Sequence, residues 1–333
     1  MNMKDIANLA GVSKATVSRV INNPELVSEK LRNKVQKILK ETGYTPNLIA
    51  RELVTKKTKL IGVIFPKVGI DTFSKITEGI MDKLNEEGYD ILLASSRDDI
   101  EEEFKYLNIF KKKYVDGIIF FPTAITKKHI EVLNNLNIPL VLMGQMNKEI
   151  NASSVLFKDF EASKEVMNYL ISKNHKKIAY MGFNKYKSII AKKRKEGYLQ
   201  ILKENNIDIK ENYITKGDFG IKSGYNQAKE IFDSCDDFPT AIFTSTDRLA
   251  FGAIKYLKER SLNVPKDISI ISIDDMEISE IFSPALTTIR FDYYNSGINA
   301  SDLILKKIKN KNEENKDIFI GYNLIERESS GKL

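Results

Sequence analysis

The chain has 333 residues, 42% of them hydrophobic, with a formal net charge of +7 and a single cysteine, Cys235. No apolar run approaches the roughly 20 residues a membrane helix needs, a lone cysteine forms no internal disulfide, and MNMKDIANLA lacks the order of a secretory signal. A cytoplasmic protein of two or three compact units, with no membrane partner, is expected. The charge is uneven. Residues 1–60 hold nine Lys and three Arg against one Asp and four Glu, which accounts for the whole excess. That asymmetry suits a polyanion-binding head on a neutral body.

In chain order, Met3, Ile6, Ala7 and Ala10 fall at helical spacing, and Gly11 can take the positive φ that ends a helix in a tight turn. Ser13 stands as the N-cap of a second helix carrying Thr16, Val17, Val20 and Ile21 until Asn22-Asn23-Pro24 halts it. A third helix begins near Ser28, with Leu31, Val35, Ile38 and Leu39 on one face and Gly43 at its close. Three short helices with a glycine-containing turn make a helix-turn-helix head. In this motif the second helix enters the major groove by its N-terminal end, which presents Ser13, Lys14, Ala15, Thr16, Ser18 and Arg19. Lys14 can donate to guanine O6 and N7, Ala15 can pack on a thymine methyl, and the hydroxyls suit phosphates. Downstream, Pro46 fits a first helical turn and Asn47 to Leu53 could form two turns, a helix too short to be stable alone in water.

The stretches MKDIANLAGVSKATVSRVINN and VSEKLRNKVQKILKETGYTPNLIARELVTKKT resemble the head of the LacI/GalR (lactose-repressor) family of bacterial transcriptional regulators. The resemblance implies a hinge helix at 46–57 that pairs across a dimer, enters the minor groove and inserts Leu53 into a base step, flanked by Asn47, Ala50 and Arg51. Such a wedge costs a few kcal/mol of unstacking per step, recovered through contacts to bent DNA. Asn2, Asn22 and Tyr44 complete the expected DNA contacts.

From Leu60 onward short apolar runs alternate with longer amphipathic stretches. LIGVIF, DILLA, GIIFF and PLVLM read as buried parallel strands, with helices near 73–88, 101–113 and 127–136. After SSVLF the alternation resumes with KKIAYMG, TAIFTS and ISIISID, between helices near 160–173, 190–205, 222–235 and 247–260. Two doubly wound α/β lobes are expected, with ligand chemistry beyond the carboxyl ends of the strands. Polar residues crowd those positions: Ser95, Ser96 and Arg97, Gly144 and Gln145, Asp218, Thr246, Asp247, Asp274 and Asp275, with Arg194 on a following helix and the rings of Phe73 and Phe219. Carboxylates that accept hydroxyl hydrogens, a guanidinium fork and aromatic faces suit a small sugar or polyol.

The resemblance singles out Arg194, three residues before Gly197-Tyr198, with Asp247 and Asp274 as cleft aspartates and Phe219 as an aromatic floor; Phe73, Ser96 and Gln145 complete the expected ligand set. It also implies a periplasmic-binding-protein-like core whose lobes close on the ligand. Three departures leave the ligand open: Thr246 replaces the usual Asn, Ile70-Asp71-Thr72-Phe73 replaces Asn-Pro-Phe-Phe, and Gly144-Gln145 replaces Asp-Arg. Lys192 and Lys193 either accommodate a phosphorylated sugar or form a solvated helix face, the reading we prefer. Asp275 is expected to be structural, as is His175.

The implied organisation is a DNA-binding domain at 1–45, the hinge at 46–57 and a core at 58–333, with lobe one at about 58–158 and 291–320 and lobe two at about 159–290 and 321–333. With no heptad extension at the end, a homodimer on a pseudopalindromic double-stranded operator is expected. The sequence carries no GxGxxG, GxxxxGK[ST] or CxxC, and His129 and His175 sit beside no nucleophile pattern, so neither an enzyme nor a cofactor is expected. The expected function is a repressor of carbohydrate-utilisation genes controlled by a sugar or sugar phosphate. The alternatives are the same regulator governed by a purine corepressor or a phosphoprotein partner, and, remotely, a sugar-binding receptor.

Overall fold

The computed structural model describes residues 1–43, 58–183 and 188–333, and of Asn22 the backbone alone. It divides into two units, Met1–Thr58 and Lys59–Leu333.

In the first unit, α1 (Met3–Ala10), α2 (Lys14–Asn22) and α3 (Glu29–Thr42) enclose a small core of Ile6, Ala7, Ala10, Val17, Val20 and Val35. Gly11 ends α1 at φ 61° and Gly43 ends α3 at the same angle, each in the left-handed region that glycine enters without a Cβ penalty. The spacing of these six puts them on the inward faces, so the three helices stand as the expected helix-turn-helix.

The second unit contains two six-stranded sheets. Its elements run β1 (Leu60–Phe65), α4 (Asp71–Glu86), β2 (Asp90–Ser95), α5 (Ile100–Lys112), β3 (Gly117–Phe120), α6 (Lys127–Asn134), β4 (Leu140–Met143) and β5 (Ser153–Phe157). They continue with α7 (Asp159–Ser172), β6 (Ile178–Phe183), α8 (Ile189–Glu204), β7 (Ile214–Gly217), α9 (Ile221–Asp233), β8 (Ala241–Thr244), α10 (Asp247–Glu259) and β9 (Ser269–Ile273). The chain ends through α11 (Glu277–Ile281), β10 (Thr287–Phe291), α12 (Tyr293–Lys309), β11 (Asp317–Ile320) and β12 (Tyr322–Ile325).

The first sheet has the order β11-β5-β4-β3-β1-β2 and is parallel throughout. The second runs β12-β10-β9-β8-β6-β7, and its one antiparallel pair is β10 with the edge strand β12. Central strands such as β3, β4, β8 and β9 are buried at every residue, as expected of parallel strands covered by helices on both faces.

The chain crosses between lobes three times: from β5 to α7, from β10 to α12, and from β11 to β12 through Gly321. Phe157, Phe291, Tyr293 and Tyr322 cluster at these crossings, with Phe157 5.4 Å from Phe291 and 5.3 Å from Tyr293 by ring centroid. Within lobe one, α12 lies so close to α4 that a Cβ on Gly79 would stand 2.1 Å from the Tyr294 carbonyl oxygen, and one on Gly297 2.2 Å from that of Ile76. Only hydrogen fits at either place. Among the described residues no helix is long and apolar enough to cross a membrane.

Candidate functional site

In the head, capping fixes what α2 presents. Ser13 Oγ accepts from the Thr16 amide at 3.1 Å and lies 2.9 Å from Thr16 Oγ1. These two hydroxyls are therefore committed first to starting the helix, a duty the expectation of phosphate contacts did not include. Asn2 is similarly occupied: its side-chain oxygen accepts from the amides of Lys4 and Asp5 at 2.8 and 3.2 Å, while the Asp5 carboxylate accepts from the Asn2 amide at 2.8 Å. That reciprocal capping box gives Asn2 a place in α1 itself. Lys14, Ala15 and Arg19 are exposed, Thr16 and Ser18 are half-buried, and Val17 and Val20 turn inward. Tyr44, Asn47, Ala50, Arg51 and Leu53 lie outside the described residues, as does the side chain of Asn22.

In the core, each sheet reverses its strand order once, between β1 and β3 in lobe one and between β6 and β8 in lobe two. Crevices open beyond the carboxyl ends of strands at such points. The two crevices face one another across a cavity of about 140 Å³. By the same measure this is room for on the order of ten water molecules, and so for a monosaccharide or a single heterocycle. Of the ligand residues expected from sequence, Phe73, Gln145, Arg194, Phe219 and Asp274 line it together.

Asp247 does not line the cavity. It is fully buried at the start of α10, and all its acceptor capacity is spent: Oδ1 accepts from the hydroxyls of Ser272 and of Thr288 (2.7 Å), Oδ2 from Ser279 Oγ (2.5 Å) and the Met276 amide (2.9 Å). The carboxylate ties the β9 and β10 layer to α10 and has nothing left for a ligand. Ser96 is the second departure. It too is fully buried, its hydroxyl has no partner among the described residues, and it opens on a separate groove at the start of α5. Lys192 is exposed and 3.7 Å from Glu196, and neither it nor Lys193 lines the cavity.

The charged wall belongs to lobe two. Arg194 is 5% exposed; its Nε donates to Asp159 Oδ1 at 2.7 Å, and Nη1 donates to the Ser245 carbonyl at 2.5 Å and stands 3.5 Å from Asp274 Oδ1. The Tyr293 hydroxyl donates to that same Asp274 oxygen at 2.9 Å. Burial raises the pKa of Asp159 against the opposing pull of Arg194. Burial also pushes Asp274 up to about 7, with Arg194 opposing and the nearby Asp247 adding to the rise. Arg194 itself stays firmly cationic, because the two carboxylates outweigh what burial takes away. Burial thus works against the charge of both carboxylates in this wall, and Arg194 works for it.

That carboxylate is held by a strained turn. Asp274 and Asp275 follow β9 at φ 137° and 52°, values that non-glycine residues adopt only where the surroundings enforce them. The enforcing contacts are visible: the Asp274 amide donates to the Ile289 carbonyl at 2.9 Å, and the Asp275 carboxylate is gripped by Arg290 and by Arg327, the latter at 2.8 Å. Asp275 is thus the clamp of the turn. His175 is likewise internal, its ring nitrogens 3.0 Å from Thr240 Oγ1 and 3.1 Å from the Gly331 carbonyl.

The lobe-one wall is aromatic and uncharged apart from Lys67 and Asp98. Phe73 stands 5.2 Å from Phe121, edge to face, and Gln145 donates to the carbonyls of Pro122 and Thr123 at 2.7 and 3.3 Å. Thr123 lines the cavity, and its Oγ1 is buried without a partner among the described residues. The Thr123 amide is fixed from behind by Glu103 Oε1 at 2.7 Å, and Glu103 Oε2 is 2.9 Å from His129 Nε2. Because His129 Nδ1 accepts the Thr126 amide, the ring proton sits on Nε2 and points to Glu103. Lys67 reaches across the cleft, with Nζ 2.9 Å from Asp98 in its own lobe and 4.0 Å above the ring of Phe219 in the other. Sequence reasoning missed Lys67, Phe121, Thr123 and Tyr293. The first three lie within three residues of strand ends, and that placement was the available signal.

The comparisons with known proteins agree with this architecture. Residues 2–47 match the family described as bacterial regulatory proteins, lacI family, and residues 167–330 match the periplasmic binding protein-like domain. The chain is 34% identical to the HTH-type transcriptional regulator RegA of Clostridium saccharobutylicum over 99% of both sequences. It is 33% identical to the HTH-type transcriptional repressor PurR of Actinobacillus pleuropneumoniae serotype 3, covering 92% of this chain and 91% of that one. Among solved structures, the lac repressor dimer bound to operator and the anti-inducer ONPF matches with a TM-score of 0.89, 26% identity and 99% coverage of both chains.

Proposed function

The chain belongs to the lacI family of bacterial regulatory proteins and is a transcription regulator, and from that premise we propose a cytoplasmic homodimeric repressor that binds a pseudopalindromic operator and is controlled by a small sugar or sugar phosphate. The observation that carries the effector reading is Arg194, poised between Asp159 and Asp274 on a cavity wall that faces the rings of Phe73 and Phe121. A sugar would set its hydroxyls toward the charged wall and its apolar face against the rings. The lac repressor dimer on its operator supports the dimeric, DNA-binding part of the reading.

Closure of the lobes on the effector would move the first lobes of the dimer relative to each other, and with them the segments around Leu53, shifting the DNA-bound population. Coupling of this kind typically amounts to ~1–3 kcal/mol. Lys14 and Ala15, exposed at the start of α2, are the residues we assign to operator choice.

A thermal-shift screen of the purified chain against sugars, sugar phosphates and purines, followed by binding to operator duplexes selected from random DNA, tests the whole reading. A sugar-class hit that changes operator affinity is expected. A hit confined to purine bases would replace the sugar reading with a purine corepressor, which the ring-lined cavity also admits. Leu53→Ala should weaken operator binding and leave effector affinity nearly intact; loss of both would remove the dedicated hinge from the scheme. Operator affinity should fall steeply with salt as phosphate contacts are lost.

A further inference from the structure

Lys75 stands in the second turn of α4, half-buried and outside the cavity wall. Its ammonium crosses to lobe two and donates to the Asp275 carbonyl at 3.2 Å, joining residues 200 positions apart in the chain. Among the described residues Lys75 forms no ion pair, although Glu78 follows it by one turn on the same helix. Its bond is therefore made to a backbone position, and that position is specific.

The carbonyl belongs to the turn that carries Asp274. Within lobe two this turn is braced: both its residues have positive φ, and Arg290 and Arg327 grip the Asp275 carboxylate. From lobe one it is held at two further points. Lys75 takes the Asp275 carbonyl, and Tyr293, the first residue of α12, donates to Asp274 Oδ1 at 2.9 Å. Both points sit on one rigid body, because Gly79 meets the Tyr294 carbonyl and Gly297 that of Ile76, seating α4 directly on α12. Hydrogen bonds and packed backbone thus run without a break from a cavity carboxylate into the helix pair of lobe one, the kind of network that carries coupling.

The two links respond differently to a ligand. Asp274 Oδ1 already stands 3.5 Å from Arg194, and a ligand donor that engages it competes with the Tyr293 hydroxyl. The Asp275 carbonyl is outside the cavity wall and faces Lys75. Its bond survives when the carboxylate changes partners, and so transmits the movement of the turn.

We propose that Lys75 is the coupling residue of the core, whose bond to the Asp275 carbonyl passes the state of the Asp274 turn to α4 and α12. This rests on the regulator reading above, in which lobe two acts on lobe one, and it names the side chain through which that action passes. It is independent of the chemistry of the effector.

Asp274→Asn neutralises the carboxylate and serves as the perturbation, so the test needs no effector. Hydrogen exchange of the full chain is followed over α4, residues 71–86, and over residues 269–276. The backgrounds are wild type, Lys75→Met, Lys75→Arg and Tyr293→Phe, each with and without Asp274→Asn. In wild type, Asp274→Asn should change exchange in α4 about fivefold or more, the lower end of typical couplings. In Lys75→Met the α4 response should vanish while that of 269–276 persists; in Lys75→Arg and Tyr293→Phe it should remain. An α4 response equal with and without Lys75, or none in wild type, overturns the proposal. Affinity for a DNA duplex selected with the wild-type chain should follow the same pattern. If the chain selects no duplex, the operator reading fails and the exchange data still decide the coupling. If it binds its duplex but exchange in α4 ignores Lys75, only the coupling falls.

Discussion

The two walls of the cleft hold their side chains by different means. Lobe two contributes a buried ionic set, Arg194 with Asp159 and Asp274, in which the guanidinium opposes the effect of burial on both carboxylates. Lobe one contributes, beside the Lys67–Asp98 pair, Phe73, Phe121, Thr123 and Gln145, neutral groups steadied by ring packing and by backbone hydrogen bonds. The difference separates two duties. A charged wall can orient a polar ligand before the cleft closes, whereas a neutral apolar wall gains most when closure removes water from both surfaces. The first should govern recognition and the second the transmitted response.

The largest effect should come from breaking the ionic wall. Arg194→Leu leaves Asp159 buried without its partner and should destabilise the core by about 3–5 kcal/mol in urea unfolding, with loss of effector binding. Lys192→Gln, on the same helix but in solvent, should change neither. A stability loss below about 1 kcal/mol for Arg194→Leu would mean that the pair is no more than a surface contact.

Next in size is the proton at Asp274. A ligand hydroxyl that donates to this group needs the carboxylate, so effector affinity should climb as pH passes about 7, and Asp274→Asn should bind weakly with a flat profile. Stability runs the other way. The folded pKa lies above the ordinary value of 3.8, so this group's contribution is full below that pH and is lost as pH rises toward about 7. Unfolding at a series of pH values, wild type against Asp274→Asn, reads that slope; identical slopes would show that Asp274 stays ionised in the fold.

The smallest effects belong to the neutral wall. Thr123→Val keeps the shape and removes the unpartnered hydroxyl, and should cost about 1 kcal/mol of effector affinity with no loss in melting temperature. Glu103→Gln should weaken binding by loosening Thr123, and should add little once Thr123 is already valine. Additive effects in that double-mutant cycle would dissolve the link between the two.

The fold was legible because its signals are local and repeated. Apolar runs bounded by turns gave the central strands, and the caps at Ser13, Gly11 and Gly43 gave the head. What escaped was set by tertiary context. The strand Ile214–Gly217 is half polar because it lies at a sheet edge, and α12 falls in the segment 291–320, which was assigned to lobe one without an element of its own. Asp247 illustrates the limit for the site. From sequence it is one more carboxylate after a strand, like Asp274, but it opens α10 facing the hydroxyls of Ser272, Ser279 and Thr288, while Asp274 sits on a strained turn beside the cavity. Two residues of one type at equivalent topological positions ended in different surroundings, one enclosed by donors and one beside the cavity.

The passage from β11 to β12 has a consequence for how the protein is made. These neighbouring strands, separated by Gly321 alone, form the outer edge of different sheets. During synthesis neither lobe can complete its sheet until this last pair has left the ribosome, so both finish together. A ribosome stalled before Asp317 would hold two sheets that each expose an unpaired strand, β5 in one and β10 in the other, and such edges are templates for aggregation.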